Sequence, residues 1–174
     1  MLLNNFYYID MASAVMCASP PTKYYVTAPN GTTKVVTYST SASAGLLDGA
    51  SFMTEIGSNG YFSTYGFCLG RGSTPATKED YKLEDMITSG LSRIAFSTAT
   101  NWYDDGAEKI WSYTMQNTSD ADITICEIGK IGRFYSGGKN YHVLVDRTVL
   151  NTPITIPAGE TKVLSHSIRI NYPA

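Results

Sequence analysis

The segment from residue 162 to residue 172 alternates between two kinds of side chain. One set is mostly apolar and comprises Leu164, His166, Ile168, Ile170 and Tyr172. The other set is mostly short or polar and comprises Val163, Ser165, Ser167, Arg169 and Asn171. A period of two places successive side chains on opposite faces of an extended chain, so one face packs and the other is wetter. This segment therefore predicts a half-buried β-strand.

Similar segments recur through the last two thirds of the chain. Runs rich in β-branched and aromatic residues predict strands at Tyr61–Leu69, Leu91–Trp102, Lys109–Gln116, Ile123–Ile128, Tyr141–Val149, Ile154–Ile156 and Lys162–Tyr172. Turn-forming clusters separate them at Asn117–Asp120, Ser136–Gly138 and Pro157–Gly159, the first of them an Asx-type turn. Short strands without intervening amphipathic helices favour an all-β fold, an antiparallel β-sandwich or jelly roll, over a parallel α/β sheet.

Residues 1–60 are less regular and predict an N-terminal docking segment, followed by a β-sandwich body at residues 61–174. The length of 174 residues suits one folded domain overall. Residues 23–40 predict a hairpin, because Asn30-Gly31 tolerates the positive φ of a two-residue type I′ turn. Residues 44–56 predict a short helix, although Gly49 weakens that prediction.

Charge and cysteine usage exclude several classes of partner and chemistry. The charged fraction is 16% and the formal net charge is -2, so the chain lacks the basic surface that a nucleic-acid partner needs. Cys17, Cys68 and Cys126 are odd in number and widely spaced, which predicts buried reduced thiols. With no CxxC pair and only two histidines, a structural zinc site is not expected.

The N-terminal apolar stretches do not predict targeting or membrane insertion. No Lys or Arg precedes Lys23, and Asp10 interrupts the apolar run, so a signal peptide is not expected. The stretches are also much shorter than the roughly 20 residues that span a bilayer. We therefore expect a protein that is made and folded in the cytosol and has no membrane partner.

The most distinctive segment is Gly70–Glu84, which reads as a glycine-permitted loop leading into a capped turn. The Thr77 hydroxyl is expected to accept from the Asp80 backbone N–H, with the Asp80 carboxylate reaching back to Thr77. Tyr81 and Leu83 would then point inward. The glycine spacing does not indicate a phosphate site, because no Lys-Ser/Thr follows at P-loop spacing and no long helix begins there. The loop is predicted to be a rigid connection without a catalytic group.

This segment resembles a GxGxTxPTxxDYxLE-like stretch in a family of small virion structural proteins of tailed bacteriophages. The similarity continues in the same order through Ser89–Leu91, Asn117–Ser119, Ile123–Gly129, Leu144–Leu150, Ile154–Glu160 and Ile168–Pro173, and so covers roughly residues 60 to 174. It implies a non-enzymatic structural component of a bacteriophage virion: capsid decoration, head fibre, neck or tail-associated protein. The implied location is the virion, assembled in the host cytoplasm. The implied partners are capsid, portal or neck, and tail chains.

The resemblance implies no catalytic, cofactor-binding or metal-binding residue, although three local patterns offer alternatives. A nucleophile reading pairs Cys126, Cys68 or a serine with His142 or His166 and Asp146, but His166 lies on the apolar face of its strand and favours a core role. Asp104-Asp105-Gly106 with Glu108 offers oxygen ligands for Ca²⁺ but lacks the spacing of a calcium loop, which favours a solvated turn.

The third pattern is a set of aromatic residues: Trp102, Tyr103, Trp111, Tyr113, Tyr135 and Tyr141. A core or subunit interface is the favoured role for them, and the low charge and high tyrosine content agree with a surface covered by neighbouring chains. A homo-oligomer is expected, and its symmetry follows from how homo-oligomers close. The alternative is a glycan- or receptor-binding module at a phage fibre or tail tip, with a host surface glycan as its ligand. A weaker third reading, an enzyme acting on bacterial surface polysaccharide, requires a pair of carboxylates across a groove.

Overall fold

The computed structural model describes residues 24–36, 66–136 and 139–171. Eight strands lie in this part of the chain: β1 (Tyr24–Thr27), β2 (Thr33–Val36), β3 (Gly66–Gly70), β4 (Leu91–Tyr103), β5 (Gly106–Asn117), β6 (Ile123–Ser136), β7 (Lys139–Ile156) and β8 (Thr161–Asn171). They form antiparallel sheets with the orders β1-β2, β3-β6-β7 and β4-β5-β8. The all-β prediction is confirmed for these residues, none of which belongs to a helix that is long and apolar enough to cross a membrane.

Most predicted strands correspond to strands of the structure, with shifts of a few residues at their ends. Strands β4, β5 and β8 match the predicted segments, and β6 extends well past residue 128. The predicted break between Val149 and Ile154 is wrong, since β7 is continuous through Pro153. Proline is compatible with a strand where its nitrogen is not needed in the ladder, and Pro153 is exposed on a strand with one described neighbour. The predicted helix at 44–56 and the start of Tyr61–Leu69 lie outside the described residues.

The predicted hairpin is present, but its turn differs from the expected type. Thr27 pairs with Thr33, which leaves a five-residue connection at residues 28–32. Gly31 alone adopts a positive φ, 81°, and its N–H donates to the Ala28 carbonyl at 2.8 Å. A type I′ turn needs positive φ at both central residues. Asn30 instead accepts the Thr32 N–H through its side chain at 3.0 Å, so it stabilises a longer loop.

The chain divides into two compact units, which are described separately. The first comprises residues 1–88 and 125–153, and the second comprises residues 89–124 and 154–174. The first therefore contains β1, β2, β3 and most of β6 and β7. The second contains β4, β5, β8 and the short remaining ends of β6 and β7.

In the first unit, side chains on both faces of the β3-β6-β7 sheet are buried. All five residues of β3 are buried, as are residues 127–132 of β6 and 143–147 of β7. The connection after β3 folds back along the free edge of that strand, where Ile87 N–H donates to Leu69 C=O and Arg71 N–H to Asp85 C=O, both at 2.8 Å. This connection covers the edge and buries Leu83 beside Gly129.

In the second unit, the β4-β5-β8 sheet is buried on one face. Trp111, Tyr113 and Met115 of β5 are buried on that face, and Leu164 and His166 of β8 lie opposite Tyr113 and Trp111. The Trp111 and His166 rings stack with centroids 6.0 Å apart. The predicted packed face of the last strand is thus confirmed for Leu164 and His166, and the core role favoured for Trp111 and Tyr113 is also confirmed.

Asn117, at the end of β5, is fully buried and closes the turn that follows it. Its amide nitrogen donates to the carbonyls of Ala121 at 2.8 Å and Ile156 at 2.9 Å. Its amide oxygen accepts the Ser119 backbone N–H at 3.0 Å, which confirms the predicted Asx-type turn. The side chain therefore supplies hydrogen-bond partners that the backbone groups of this turn would otherwise lack.

Candidate functional site

Arg147 of β7 is the centre of the most highly connected polar cluster that the structure describes. Its side chain is only 3% exposed, and its Nε donates to Glu127 Oε2 at 2.7 Å. One terminal nitrogen donates to Asp80 Oδ2 at 2.7 Å. The other donates to the Thr74 carbonyl at 3.1 Å and lies 3.5 Å from Glu84 Oε2. We call Arg147, Glu127, Asp80, Glu84 and Thr74 the arginine cluster.

Glu127 of β6 is fully buried and uses both carboxylate oxygens. Oε1 accepts the backbone N–H groups of Gly72 at 3.1 Å and Asp85 at 2.9 Å. Oε2 accepts the Glu84 N–H at 3.2 Å in addition to the Arg147 guanidinium. A buried charge is tolerated when it is paired and hydrogen-bonded, and Glu127 meets both conditions. It ties the connection after β3 onto the sheet beneath.

The two glycines at the start of the distinctive loop make room for this carboxylate. A Cβ at Gly70 would meet Glu127 Oε1 and would lie 2.7 Å from the Asp85 carbonyl oxygen. A Cβ at Gly72 would meet the Glu84 Cβ and would lie 2.6 Å from Glu127 Oε1. The glycine spacing therefore serves close approach, and the anion held by these loop N–H groups is the chain's own Glu127.

The predicted capped turn is present with one change of partner. The Asp80 carboxylate accepts the Thr77 backbone N–H and the Thr77 hydroxyl, each at 3.0 Å. The Asp80 N–H donates to the Thr77 main-chain carbonyl at 3.3 Å, so the predicted acceptor, the Thr77 hydroxyl, is wrong. The hydroxyl is used as a donor because the carboxylate is the stronger acceptor. Leu83 is buried as predicted, whereas Tyr81 is half-buried near Gly31.

Three members of the arginine cluster have shifted pKa values that favour their ionised forms. Burial raises the pKa of Asp80, but hydrogen bonds from Thr77 and Arg147 outweigh it and hold that pKa below its ordinary value. Hydrogen bonds from the Thr74 backbone and hydroxyl lower the pKa of Glu84. Burial lowers the pKa of Arg147, yet its hydrogen bonds to Asp80 and Glu127 outweigh this and raise it. Asp80, Glu84 and Arg147 are thus held in their charged forms at neutral pH.

We expect acid to weaken the contribution of Asp80. A carboxyl whose folded pKa lies below its unfolded value stabilises the fold above the unfolded pKa, and this contribution is lost as pH falls through the folded pKa. The difference in unfolding free energy between wild type and Asp80→Asn should therefore narrow as pH falls below the ordinary value of 3.8. Urea denaturation across a pH series measures it, with Asp120→Asn in an exposed turn as the control. A difference that stays constant would contradict the role given to Asp80.

A surface cavity of about 310 Å³ lies over the arginine cluster. Asp80, Glu84 and Arg147 line it together with Tyr81 and Lys82. A polysaccharide hydrolase needs one carboxyl group with a raised pKa as general acid. The pKa values of Asp80 and Glu84 are both lowered, so neither carboxyl is suited to that role. Their oxygens are instead bonded to the loop and to Arg147.

The residues of the nucleophile reading are distributed over both units. Cys68, Cys126, His142 and Asp146 belong to the first unit, and His166 belongs to the second. Cys68 and Cys126 are free thiols, buried and half-buried respectively. Burial, followed by the charges of Glu127 and Asp146, raises the pKa of the Cys68 thiol, so this thiol stays protonated and is a poor nucleophile. Cys17 lies outside the described residues.

The acidic turn considered for Ca²⁺ is part of the β4–β5 hairpin. Asp104 and Asp105 are exposed turn residues, and Glu108 on β5 accepts the Tyr103 hydroxyl at 3.1 Å and the Asn101 amide at 3.5 Å. In the ranges that the structure describes, no group of three His, Cys, Asp or Glu residues is arranged to hold a metal ion.

The six aromatic residues do not form one platform. Trp111 and Tyr113 are buried in the second unit. Trp102 and Tyr103, near the tip of the β4–β5 hairpin, are 76% and 40% exposed. The side chains of Tyr135 and Tyr141 lie outside the described residues. Trp111 is therefore excluded as a glycan contact, and Trp102 remains available as one.

Sequence reasoning missed the two central members of the arginine cluster. Glu127 follows the run Ile123–Cys126, and Arg147 follows Val143–Val145 and Asp146, so each is a long charged side chain close to a mostly apolar run. Such residues are almost never fully buried unless they are paired. Two such residues of opposite charge, in separate predicted strands, are the sequence signal for an internal ion pair.

Comparisons of the chain with models of known families, with curated proteins and with solved structures find no match.

Proposed function

We propose that this chain is a non-enzymatic structural component of a bacteriophage virion that acts through assembly with other protein chains. Its partners are capsid, portal or neck, or tail chains, and further copies of itself. Its location is the virion after assembly in the host cytoplasm. A capsid decoration, head fibre, neck or tail-associated position each fits this role.

The observation that carries the proposal is where the segments of the resemblance meet. Gly70–Glu84, Ile123–Gly129 and Leu144–Leu150 are far apart in the chain, yet all three supply members of the arginine cluster. The resemblance to the virion family depends on these segments occurring in this order, and their meeting in one cluster gives them a common structural role. The polar residues of these segments are used to fix a loop onto a sheet, which supports a scaffold role over a catalytic one.

The test is the protein content of purified particles. Virions propagated from a genome that encodes this chain should contain it in several copies per particle after density-gradient purification, as measured by quantitative mass spectrometry. Genetic removal of the chain should leave particles that lack it and lose one structural feature in electron micrographs. Its absence from purified particles, with abundant chain free in the lysate, would overturn the proposal.

The alternative is a glycan- or receptor-binding module at a fibre or tail tip, and Trp102 is the observation that favours it. A tryptophan ring that is 76% exposed at a hairpin tip suits stacking on a sugar face. Specific binding of the full chain to host cells or a glycan array, lost in Trp102→Ala and kept in Thr118→Ala, would favour this alternative. Thr118 is an exposed residue in another turn.

At the level of fold class, we propose an antiparallel β-sandwich of the jelly-roll kind. The support is the one-sided burial of the β4-β5-β8 sheet, a pattern typical of sandwich sheets. An experimentally determined structure that gives the complete strand order tests this proposal.

A further inference from the structure

The outer edge of β4 differs from the edges of β3 and β8. β4 has β5 as its one neighbour among the described strands. Ser97, Thr98, Ala99 and Thr100 are four successive exposed residues, so side chains on both faces of the strand reach solvent there. An edge strand of this kind presents unpaired backbone N–H and C=O groups to a further strand.

The usual devices that protect such an edge are missing from most of β4. Its start carries Arg93 and a bulge between Arg93 and Ala95, both of which hinder pairing. From Ile94 to Tyr103 there is no charged residue, proline or glycine. By contrast, the edge of β3 is covered by residues 85–87, and β8 carries Lys162 and Arg169. The segment Ala95–Trp102 is therefore better suited to strand addition than the edges of β3 and β8.

We propose that this edge pairs antiparallel with the same edge of a second copy of the chain, about a two-fold axis at Ala99. The proposal rests on the proposed function, since it supplies a surface for the assembly role. Self-pairing suits this segment because an uncharged strand meets its own copy without any like-charge contact. An isologous contact of this type also closes on itself, as two-fold dimers do.

The position of the axis follows from the aromatic residues. Pairing about Ala99 places Thr98 opposite the partner's Thr100, and Phe96 opposite the partner's Trp102. The two-fold axis generates two copies of each of these pairs. Phe96 and Trp102 lie on the same face of β4, since their β5 neighbours Tyr113 and Ala107 are an even number of residues apart. Cross-strand aromatic pairs stabilise antiparallel sheets. The Trp102 ring, 76% exposed in the single chain, would thereby gain a packing partner.

A cysteine cross-link tests the register. On the axis, each Ala99 lies opposite the partner's Ala99 at a separation that a disulfide accepts. Full-length Ala99→Cys should form a covalent dimer on mild oxidation, whereas Ser97→Cys, which would face Asn101, should form far less. The wild type, with its native cysteines, gives the background level on a non-reducing gel. Equal cross-linking of the two variants, or none above background, would overturn the proposal.

A charge at the axis tests the interface without a covalent bond. Ala99→Lys brings two ammonium groups together and should weaken self-association at least about tenfold, as measured by sedimentation equilibrium. Ser167→Lys, at an exposed position of β8, should leave it unchanged. Circular dichroism and thermal melting confirm that both variants are folded. A monomeric wild type, or a dimer that Ala99→Lys leaves intact, contradicts the proposal. The presence of the chain in virions is measured separately. A chain that is present in virions but monomeric in solution would reject the β4 pairing and leave the proposed virion role standing.

Discussion

Replacement of Arg147 by methionine is expected to lower the free energy of unfolding by about 3–5 kcal/mol, because it leaves the fully buried Glu127 without its counter-charge. Methionine keeps most of the length and apolar contact of the arginine stem, so the loss is chiefly electrostatic. Three backbone N–H groups still reach Glu127, but they carry no net charge to balance it. Chemical denaturation at neutral pH measures the effect.

Two further variants test whether the loss of stability arises from the unpaired charge of Glu127 or from any substitution in this region. Arg71→Met changes an exposed arginine of the same loop and should alter stability by less than about 0.5 kcal/mol. The double variant Arg147→Met with Glu127→Met should recover part of the loss, because it leaves no unpaired buried charge. A loss below about 1 kcal/mol for Arg147→Met alone would contradict the central role of the ion pair.

Trp111→Ala is expected to cost about 3–5 kcal/mol of unfolding free energy, because it removes a fully buried indole from the core of the second unit. The ring stacks on His166, and neighbouring side chains on β5 and β8 cannot fill the space of an indole. Thermal and urea unfolding measure the loss. A change below about 1 kcal/mol would indicate that this face is not the core.

Trp102→Ala is the matched control, since it removes the same side chain from an exposed position on the neighbouring strand. Its effect on the unfolding of the isolated chain should be below about 0.5 kcal/mol. The two tryptophans therefore separate a structural role from a surface role: any loss of partner or glycan binding in Trp102→Ala arises without loss of the fold.

Local sequence patterns predicted most of the strands, because the alternation of side chains depends only on neighbouring residues. The alternation in β8 identified Leu164 and His166 as packed, because period two is a property of the extended backbone itself. The turn at Asn30-Gly31 was predicted less well. Its type depends on how the flanking strands pair, and the register that pairs Thr27 with Thr33 requires a longer loop.

The arginine cluster shows what sequence reasoning lacked. The capped turn of the distinctive loop was predicted from the sequence, since its Thr77–Asp80 contacts are local. Its anchor was not identified, because Glu127 and Arg147 lie 55 positions from Gly72 and 67 positions from Asp80 respectively. Nothing in the loop itself specifies which distant strand residues supply the charges. The glycines were informative only once the carboxylate that they accommodate was known.

The internal carboxylate also limits how this chain can vary over evolutionary time. Gly70 and Gly72 admit no side chain, because a Cβ would meet Glu127 at both positions and would also meet the Asp85 carbonyl oxygen at Gly70 and the Glu84 Cβ at Gly72. Glu127 in turn needs Arg147 for charge balance. Across descendants of this sequence, we therefore expect the two glycines to be retained and Glu127 and Arg147 to be inherited or exchanged as a pair, a correlated signature that identifies distant relatives after overall similarity has faded.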